Sequence, residues 1–121
     1  YRRRYLDWVD RCVADDERCV TIAAPAEAEA AEALAGYAFV LPERLAMIWD
    51  AAVLNEIYVR PEHRGTGVAD DLVAAAVALA ESQDLPLDRL VLDVDRENDR
   101  ARSFYERHGF ERWGEMVARK L

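Results

Sequence analysis

Two glycines flank a threonine at Gly65-Thr66-Gly67, between a predicted strand that ends at Val59 and a predicted helix that follows Gly67. Because glycine has no side chain, consecutive backbone amides in such a turn are uncovered and free to converge on one point. The first amides of a helix and its partially positive end favour an anion at the same place. Arg64 adds a full positive charge at the mouth of the turn, with Arg60 and His63 nearby. The turn therefore predicts a binding site for an anionic group.

A tight strand-to-helix connection explains the same residues without any ligand. Asp70 and Asp71 in the first turn of the helix favour the helix dipole, but they would repel a phosphate unless their side chains point away. No Gly-Lys-Ser/Thr follows the turn, and the G-x-G-x-x-G pattern of dinucleotide-binding folds is incomplete. The sequence thus disfavours a nucleoside triphosphate or NAD as the anionic ligand.

The periodicity of apolar residues predicts the elements around this turn. Spacing of three and four predicts a helix over residues 5–12 and a longer one from Gly67 to just before Asp84. A short helix capped by Asn98 or Asp99 runs to His108, where Gly109 stops it. Apolar runs that end at proline or polar residues predict strands over residues 19–24, 34–41, 53–59, 89–95 and 113–121, with a loop over residues 27–32.

The order of these elements indicates the fold class. The first two strands are expected to pair antiparallel, whereas the strand, helix and strand over residues 53–95 predict a right-handed crossover between parallel strands. We therefore expect an α+β fold with a mixed, mostly antiparallel sheet and flanking helices. The 121 residues, 52% of them hydrophobic, suit a single compact domain and argue against disorder.

The charge balance restricts the partners. The chain carries 24 acidic against 16 basic residues, a formal net charge of -8. This field repels nucleic acid and anionic membranes and suits a cationic substrate. No apolar run approaches the length that spans a bilayer.

Cys12 and Cys19 match neither a CxxC redox pair nor a zinc site. We interpret them as buried thiols of a cytoplasmic protein, with a disulfide or a reactive thiol as alternatives, and expect no bound metal.

Two motifs together resemble the GNAT family of N-acetyltransferases. The first is similar to the family's R/Q-x-x-G-x-G/A loop, with Arg64, Gly67 and Ala69 at the motif positions. The second lies in residues 98–110 and resembles the family's pattern of Asn, Ala, Phe-Tyr and Gly-Phe, here Asn98, Ala101, Phe104, Tyr105, Gly109 and Phe110. The two motifs occur in the expected order and cover roughly residues 53–115.

The resemblance implies that the two parallel strands form a central pair that splays apart, and that acetyl-CoA enters the gap between them. Backbone groups of the strand would pair with the pantetheine arm, and amides of the turn would hold the pyrophosphate. The residues expected to bind this cosubstrate are Ile57, Tyr58, Val59, Arg64, Gly65, Thr66, Gly67, Val68, Ala69, Asp70 and Asn98.

The resemblance also implies an activity, the transfer of an acetyl group to a primary amine of a small molecule, peptide or protein. Tyr105 matches the family's usual acid position, and a phenol can protonate a departing thiolate. Glu56 and Asp93 are the carboxylates best placed to remove the amine proton, often through water, while a backbone amide near Ile57–Val59 would stabilise the oxyanion. A structural tyrosine and hydrogen-bonded or solvated carboxylates explain the same three residues without catalysis.

Two questions stay open at this stage. A non-catalytic, regulatory module that binds acyl-CoA is the alternative to an enzyme. The chain is expected to form one domain over residues 1–121. Relative to the family, it is expected to lack the first strand and part of the first helix, which often form one wall of the acceptor site. The sequence does not decide whether the protein is a homodimer.

Overall fold

The computed structural model describes residues 2–24 and 34–121, so the loop predicted over residues 27–32 lies outside the described residues. The elements in chain order are α1 (Arg2–Asp15), β1 (Val20–Ala23), β2 (Gly36–Val40), α2 (Glu43–Ala46), β3 (Ala52–Val59), α3 (Val68–Ser82), β4 (Leu90–Val91) and α4 (Asp99–Arg107). Short 3₁₀ turns occur at Glu17–Cys19 and Pro61–His63. No helix within the described ranges is both long and apolar enough to cross a bilayer.

The four strands form one mixed sheet in the order β1-β2-β3-β4. β1 pairs with β2 and β2 with β3 in antiparallel orientation, whereas β4 lies parallel to β3 after the α3 crossover. This arrangement confirms the α+β class, the first antiparallel pair and the parallel strands. The parallel pair lies at one end of this sheet.

The sheet buries a different apolar cluster on each side. On one side, α3 contributes Leu72, Ala76 and Leu79 to a core with residues of β2 and β3. On the other side, Cys12 of α1 packs with Cys19 and Phe39, and Trp8 lies against the same cluster. The helices thus fix the two faces of β2 and β3, the strands that lie next to the glycine turn.

A β-bulge interrupts the pairing of β2 with β3. Phe39 pairs with Glu56 and Val40 pairs with Leu54, so the register passes over Asn55. Strand residues normally alternate between faces, and an extra residue reverses that alternation. As a result Leu54 and Ile57 both pack on the α3 side, and Glu56 between them faces α1.

Two strand predictions were wrong in extent. The strand expected over residues 89–95 is limited to Leu90–Val91, and residues 111–121 contain no regular element and are exposed. A strand needs hydrogen bonds from a neighbouring edge, and β4 pairs with β3 through two residues before the chains part. The alternation of apolar residues over 113–121 therefore does not produce the predicted last strand.

Gly36 allows β2 to approach the end of β3. A Cβ atom at this position would lie 2.3 Å from the Tyr58 carbonyl oxygen and 3.1 Å from the Val59 Cα. We expect Gly36→Ala to lower the free energy of unfolding by about 1–3 kcal/mol, since backbone atoms must move to admit the methyl group. Urea denaturation measures this loss.

Gly114→Ala is the matched control, because no atom lies within 4 Å of a Cβ placed there. Equal stability of the two variants would contradict the close approach of β2 to β3.

Candidate functional site

The turn between β3 and α3 has the open backbone that its glycines predict. Gly65 and Gly67 adopt left-handed conformations with φ of 80° and 89°, and a Cβ on either glycine would meet no atom within 4 Å. The Thr66 hydroxyl donates a hydrogen bond to the His63 carbonyl, which closes the turn. Arg64 donates from Nε to the Val59 carbonyl oxygen at 3.3 Å, so its guanidinium lies at the end of β3.

The start of α3 leaves backbone amides for a ligand. Gly67 is the N-cap residue and supplies no side-chain cap, and the Asp71 amide makes the bond to its carbonyl at 3.1 Å. The amides of Val68, Ala69 and Asp70 precede that bond and have no carbonyl one turn earlier in the helix. Together with the turn, they form a cradle of N–H groups at the positive end of a four-turn helix.

The Asp70 carboxylate contacts residues at the end of α4. Its Oδ1 lies 2.7 Å from His108 Nε2 and 3.6 Å from a guanidinium nitrogen of Arg107, at the end of α4. The contacts with Arg107 and His108 direct the Asp70 carboxylate toward α4. They therefore reduce the repulsion that the sequence analysis expects between Asp70 and a phosphate bound at the turn. Asp71 is exposed on the first turn of α3.

The edge of β3 is open next to the cradle. β2 pairs with one edge of β3 as far as Val59, but β4 pairs with the other edge only at Ala52 and Val53. Within the described ranges, the Ile57–Val59 segment therefore has no neighbouring strand on its β4 side. Such an edge presents N–H and C=O groups to an extended ligand, in agreement with the expected splay.

Tyr105 lies on α4, one helical turn before His108. Asn98 caps this helix, because its Oδ1 accepts a 3.0 Å hydrogen bond from the Ala101 amide. The Tyr105 ring is half-buried between Phe104 and Phe110, with ring centroids 5.3 and 5.6 Å away. Burial raises the pKa of the Tyr105 phenol, which therefore keeps its proton throughout the neutral range.

The two candidate carboxylates have different surroundings. Glu56 is half-buried, and its two oxygens accept hydrogen bonds from the hydroxyls of Tyr5 and Tyr37. Burial, and next the hydrogen bond to Glu56, raise the pKa of Tyr37 to about 12. Asp93 is exposed on the chain just beyond β4, outside the strand expected to hold it.

Sequence reasoning missed the long-range contacts of Tyr5, Tyr37 and His108. The contacts of these residues cross 51, 19 and 38 positions of the chain, so no local pattern indicates them. Strand alternation places Tyr37 and Phe39 on one face of β2, but only the register of the sheet shows that this face carries Glu56.

The tryptophans have structural or surface positions rather than a shared pocket. Trp8 packs edge-on against Phe39, with ring centroids 5.5 Å apart. Trp49 and Trp113 are each a little less than half exposed, and the Arg89 guanidinium lies over the Trp113 ring. Cys12 and Cys19 are buried free thiols, as predicted. The described residues contain no cluster of ligands suited to a metal ion.

A cavity of about 360 Å³ opens beside the first turn of α3, and no residue of α4 lines it. His63, Val68 and Asp71 line one wall, and β1 residues line another. It contains none of the three residues proposed for catalysis, so it does not identify an acceptor pocket.

Comparison with known proteins gives a consistent result. The sequence model described as the acetyltransferase (GNAT) family matches residues 1–110. The mycothiol acetyltransferase of Salinispora tropica is 39% identical over 74 residues, which are 59% of this chain and 24% of that protein. The chain thus matches about a quarter of the length of this curated relative.

Two solved structures illustrate the likeness of the fold. An aminoglycoside 6'-N-acetyltransferase from Acinetobacter haemolyticus aligns with a TM-score of 0.69 and 16% identity, covering 100% of this chain and 81% of that one. A ribosomal-protein-alanine N-acetyltransferase from Brucella melitensis biovar Abortus 2308 aligns with a TM-score of 0.54 and 26% identity, covering 76% of this chain and 67% of that one.

The cap of α4 gives a test of how the Tyr105 helix is held. We expect Asn98→Ala to destabilise α4 by about 1 kcal/mol and to speed hydrogen exchange of its amides about fivefold, because the Ala101 amide loses its partner. Asn98→Asp keeps the acceptor and is expected to exchange at the wild-type rate. Unchanged exchange in the alanine variant would contradict the cap.

Proposed function

The chain belongs to the acetyltransferase (GNAT) family, and on that basis we propose that it transfers the acetyl group of acetyl-CoA to a primary amine. One observation carries the proposal: the amide cradle at Gly65–Asp70 lies directly after the open edge of β3. Acetyl-CoA contains a diphosphate followed by an extended pantetheine arm. Its binding therefore requires an anion-binding cradle beside an open strand edge.

The residues present suit this cosubstrate. The N–H groups of the turn and of Val68–Asp70 would hold the pyrophosphate, and the left-handed glycines keep side chains out of that space. Backbone groups of Ile57–Val59 would pair with the pantetheine arm as an added strand does. Arg64 supplies positive charge at the same end of β3. Asn98 already uses its Oδ1 for the α4 cap, so its Nδ2 is the group left for a contact with the cosubstrate.

Acetyl transfer to an amine requires a proton acceptor and a proton donor. An alkyl amine with a pKa near 10.4 is mostly protonated at neutral pH and must lose a proton before it attacks the thioester carbonyl. A backbone amide at Ile57–Val59 would stabilise the negative charge that develops on the acetyl oxygen. Tyr105 would then protonate the departing sulfur, a role that suits a phenol whose pKa is raised by burial.

Two carboxylates are proposed for proton removal, directly or through a water molecule. Asp93 is exposed and accessible to water, whereas the oxygens of Glu56 accept bonds from two phenols. Each Glu56 oxygen keeps a further lone pair that can accept a proton, so these hydrogen bonds alone do not exclude Glu56 as the base.

The acceptor is proposed as a small-molecule or peptide amine. The names of the relatives include mycothiol and aminoglycoside acetyltransferases on one side and an enzyme for ribosomal-protein alanine on the other. These names support amine acetylation as a class and do not choose between its two kinds of acceptor.

Binding of acetyl-CoA is the first test. At a hundredfold excess over Kd we expect the free energy of unfolding to rise by about 2.7 kcal/mol, measured as an increase in Tm. Acetyl-pantetheine is the matched control ligand, because it lacks the pyrophosphate and should stabilise the protein less. An unchanged melting curve at millimolar acetyl-CoA would refute the cradle as its site.

Removal of one hydroxyl tests the acid. We expect Tyr105→Phe to lower kcat about a hundredfold or more and to abolish the alkaline limb of the pH-rate profile, because no phenol remains to protonate the sulfur. In the wild type that limb should lie at higher pH than the ordinary titration of a tyrosine phenol, since activity is lost as pH rises through a pKa that burial has raised.

Release of free thiol from acetyl-CoA with a library of amines measures both effects, and the phenylalanine ring preserves the contacts with Phe104 and Phe110. Wild-type rates in the variant would exclude Tyr105 as the acid. Binding of acetyl-CoA without turnover on any amine would instead indicate an acyl-CoA-binding module.

A further inference from the structure

Glu56 lies at the centre of a small group of phenols on the α1 side of the sheet. Tyr37 of β2 donates a hydrogen bond to its Oε1, and Tyr5 of α1 donates to its Oε2. Tyr58, two residues along β3, faces the same side and lies beside Tyr37 with ring centroids 6.0 Å apart. We call Glu56, Tyr5 and Tyr37 the phenol-carboxylate cluster.

The negative charge of this cluster belongs to Glu56. The pKa of Tyr37 is raised to about 12, so its phenol remains a hydrogen-bond donor to Glu56 at neutral pH. None of the ion pairs among the described residues includes Glu56. The cluster is therefore a half-buried carboxylate that lacks a basic partner within that part of the chain.

A carboxylate in this state suits a cation. Phenol hydrogen bonds occupy one lone pair on each oxygen and leave a second lone pair on each for N–H donors. Charge-assisted hydrogen bonds are about twice as strong as neutral ones, and aromatic faces add attraction for an ammonium or guanidinium group. The Tyr58 side chain is 44% exposed, so this side of β3 is accessible to a ligand.

The bulge places the cluster next to the proposed reaction site. It turns Glu56 toward α1, and Glu56 immediately precedes the open Ile57–Val59 edge. A cation bound at Glu56 would thus lie within a few residues of the backbone that is proposed to hold the thioester arm.

We propose that the phenol-carboxylate cluster binds a second cationic group of the acceptor, distinct from the amine that is acetylated. The substrate class is then a diamine, an amino sugar with several amines or a basic peptide, and a monoamine without a second cationic group is a poor substrate. This inference rests on the proposed acetyl transfer. It assigns Glu56 to recognition, and proton removal then belongs to Asp93 or to water.

Two acceptors of equal length test this assignment. In the wild type, kcat/KM for 1,5-diaminopentane should exceed that for 1-aminopentane about tenfold or more, the effect of one charge-assisted hydrogen bond. Glu56→Gln should remove that preference by raising KM for the diamine toward the KM of the monoamine. Glu17→Gln, an exposed site on the 3₁₀ turn before β1, changes the net charge equally and should keep the preference.

Several results would overturn the inference. A wild type that does not prefer the diamine excludes a second cation site. An equal loss for both acceptors in Glu56→Gln, with a shift of the acid limb, identifies Glu56 as the base instead. If Glu56→Gln does not fold, Tyr37→Phe serves in its place, because it removes one of the two bonds that orient the carboxylate and should lower the preference in the same direction.

Calorimetric titration of the diamine into the protein with bound CoA separates this inference from the proposed reaction. Weaker binding to Glu56→Gln than to the wild type supports the cation site even if no acetyl transfer is observed. Equal binding to both proteins overturns the site even if transfer proceeds.

Discussion

The site depends on one inserted residue in β3. Asn55 has no partner on β2, and the bulge that it creates reverses the alternation of side chains from that point. Upstream, Leu54 seals the α3 core, and downstream, Glu56 and Tyr58 face α1. A regular strand would put Glu56 on the same side as Leu54, against α3, where a carboxylate would lose its hydration without a partner.

The same strand meets two demands that usually conflict. β2 must pair with it firmly enough to hold the sheet together, and its other edge must remain open for a ligand. The close approach at Gly36 satisfies the first demand and the early departure of β4 satisfies the second. The anion-binding site proposed for this negatively charged protein relies on local backbone dipoles, while Asp70 pairs with α4 residues.

Local features were predictable from the sequence. The glycine turn, the helix that follows it, the Asn98 cap and the left-handed stop at Gly109 each depend on residues a few positions apart, and all are present. The bulge, the Tyr37–Glu56 contact and the Asp70–His108 contact depend on the register of the sheet and the packing of distant helices. The prediction of a strand over residues 113–121 was wrong for the same reason, because the alternation of apolar residues does not show whether a sheet edge is available for pairing.

The way in which α4 is attached has a dynamic consequence. This helix contains no fully buried residue, and its link to α3 runs through the Asp70 carboxylate and the side chains of Arg107 and His108. Separating α4 from the rest of the chain would expose little apolar surface and leave both cores intact, so such an opening costs less than global unfolding. The helix that carries Tyr105 is thus able to detach and return as a unit more often than the sheet unfolds.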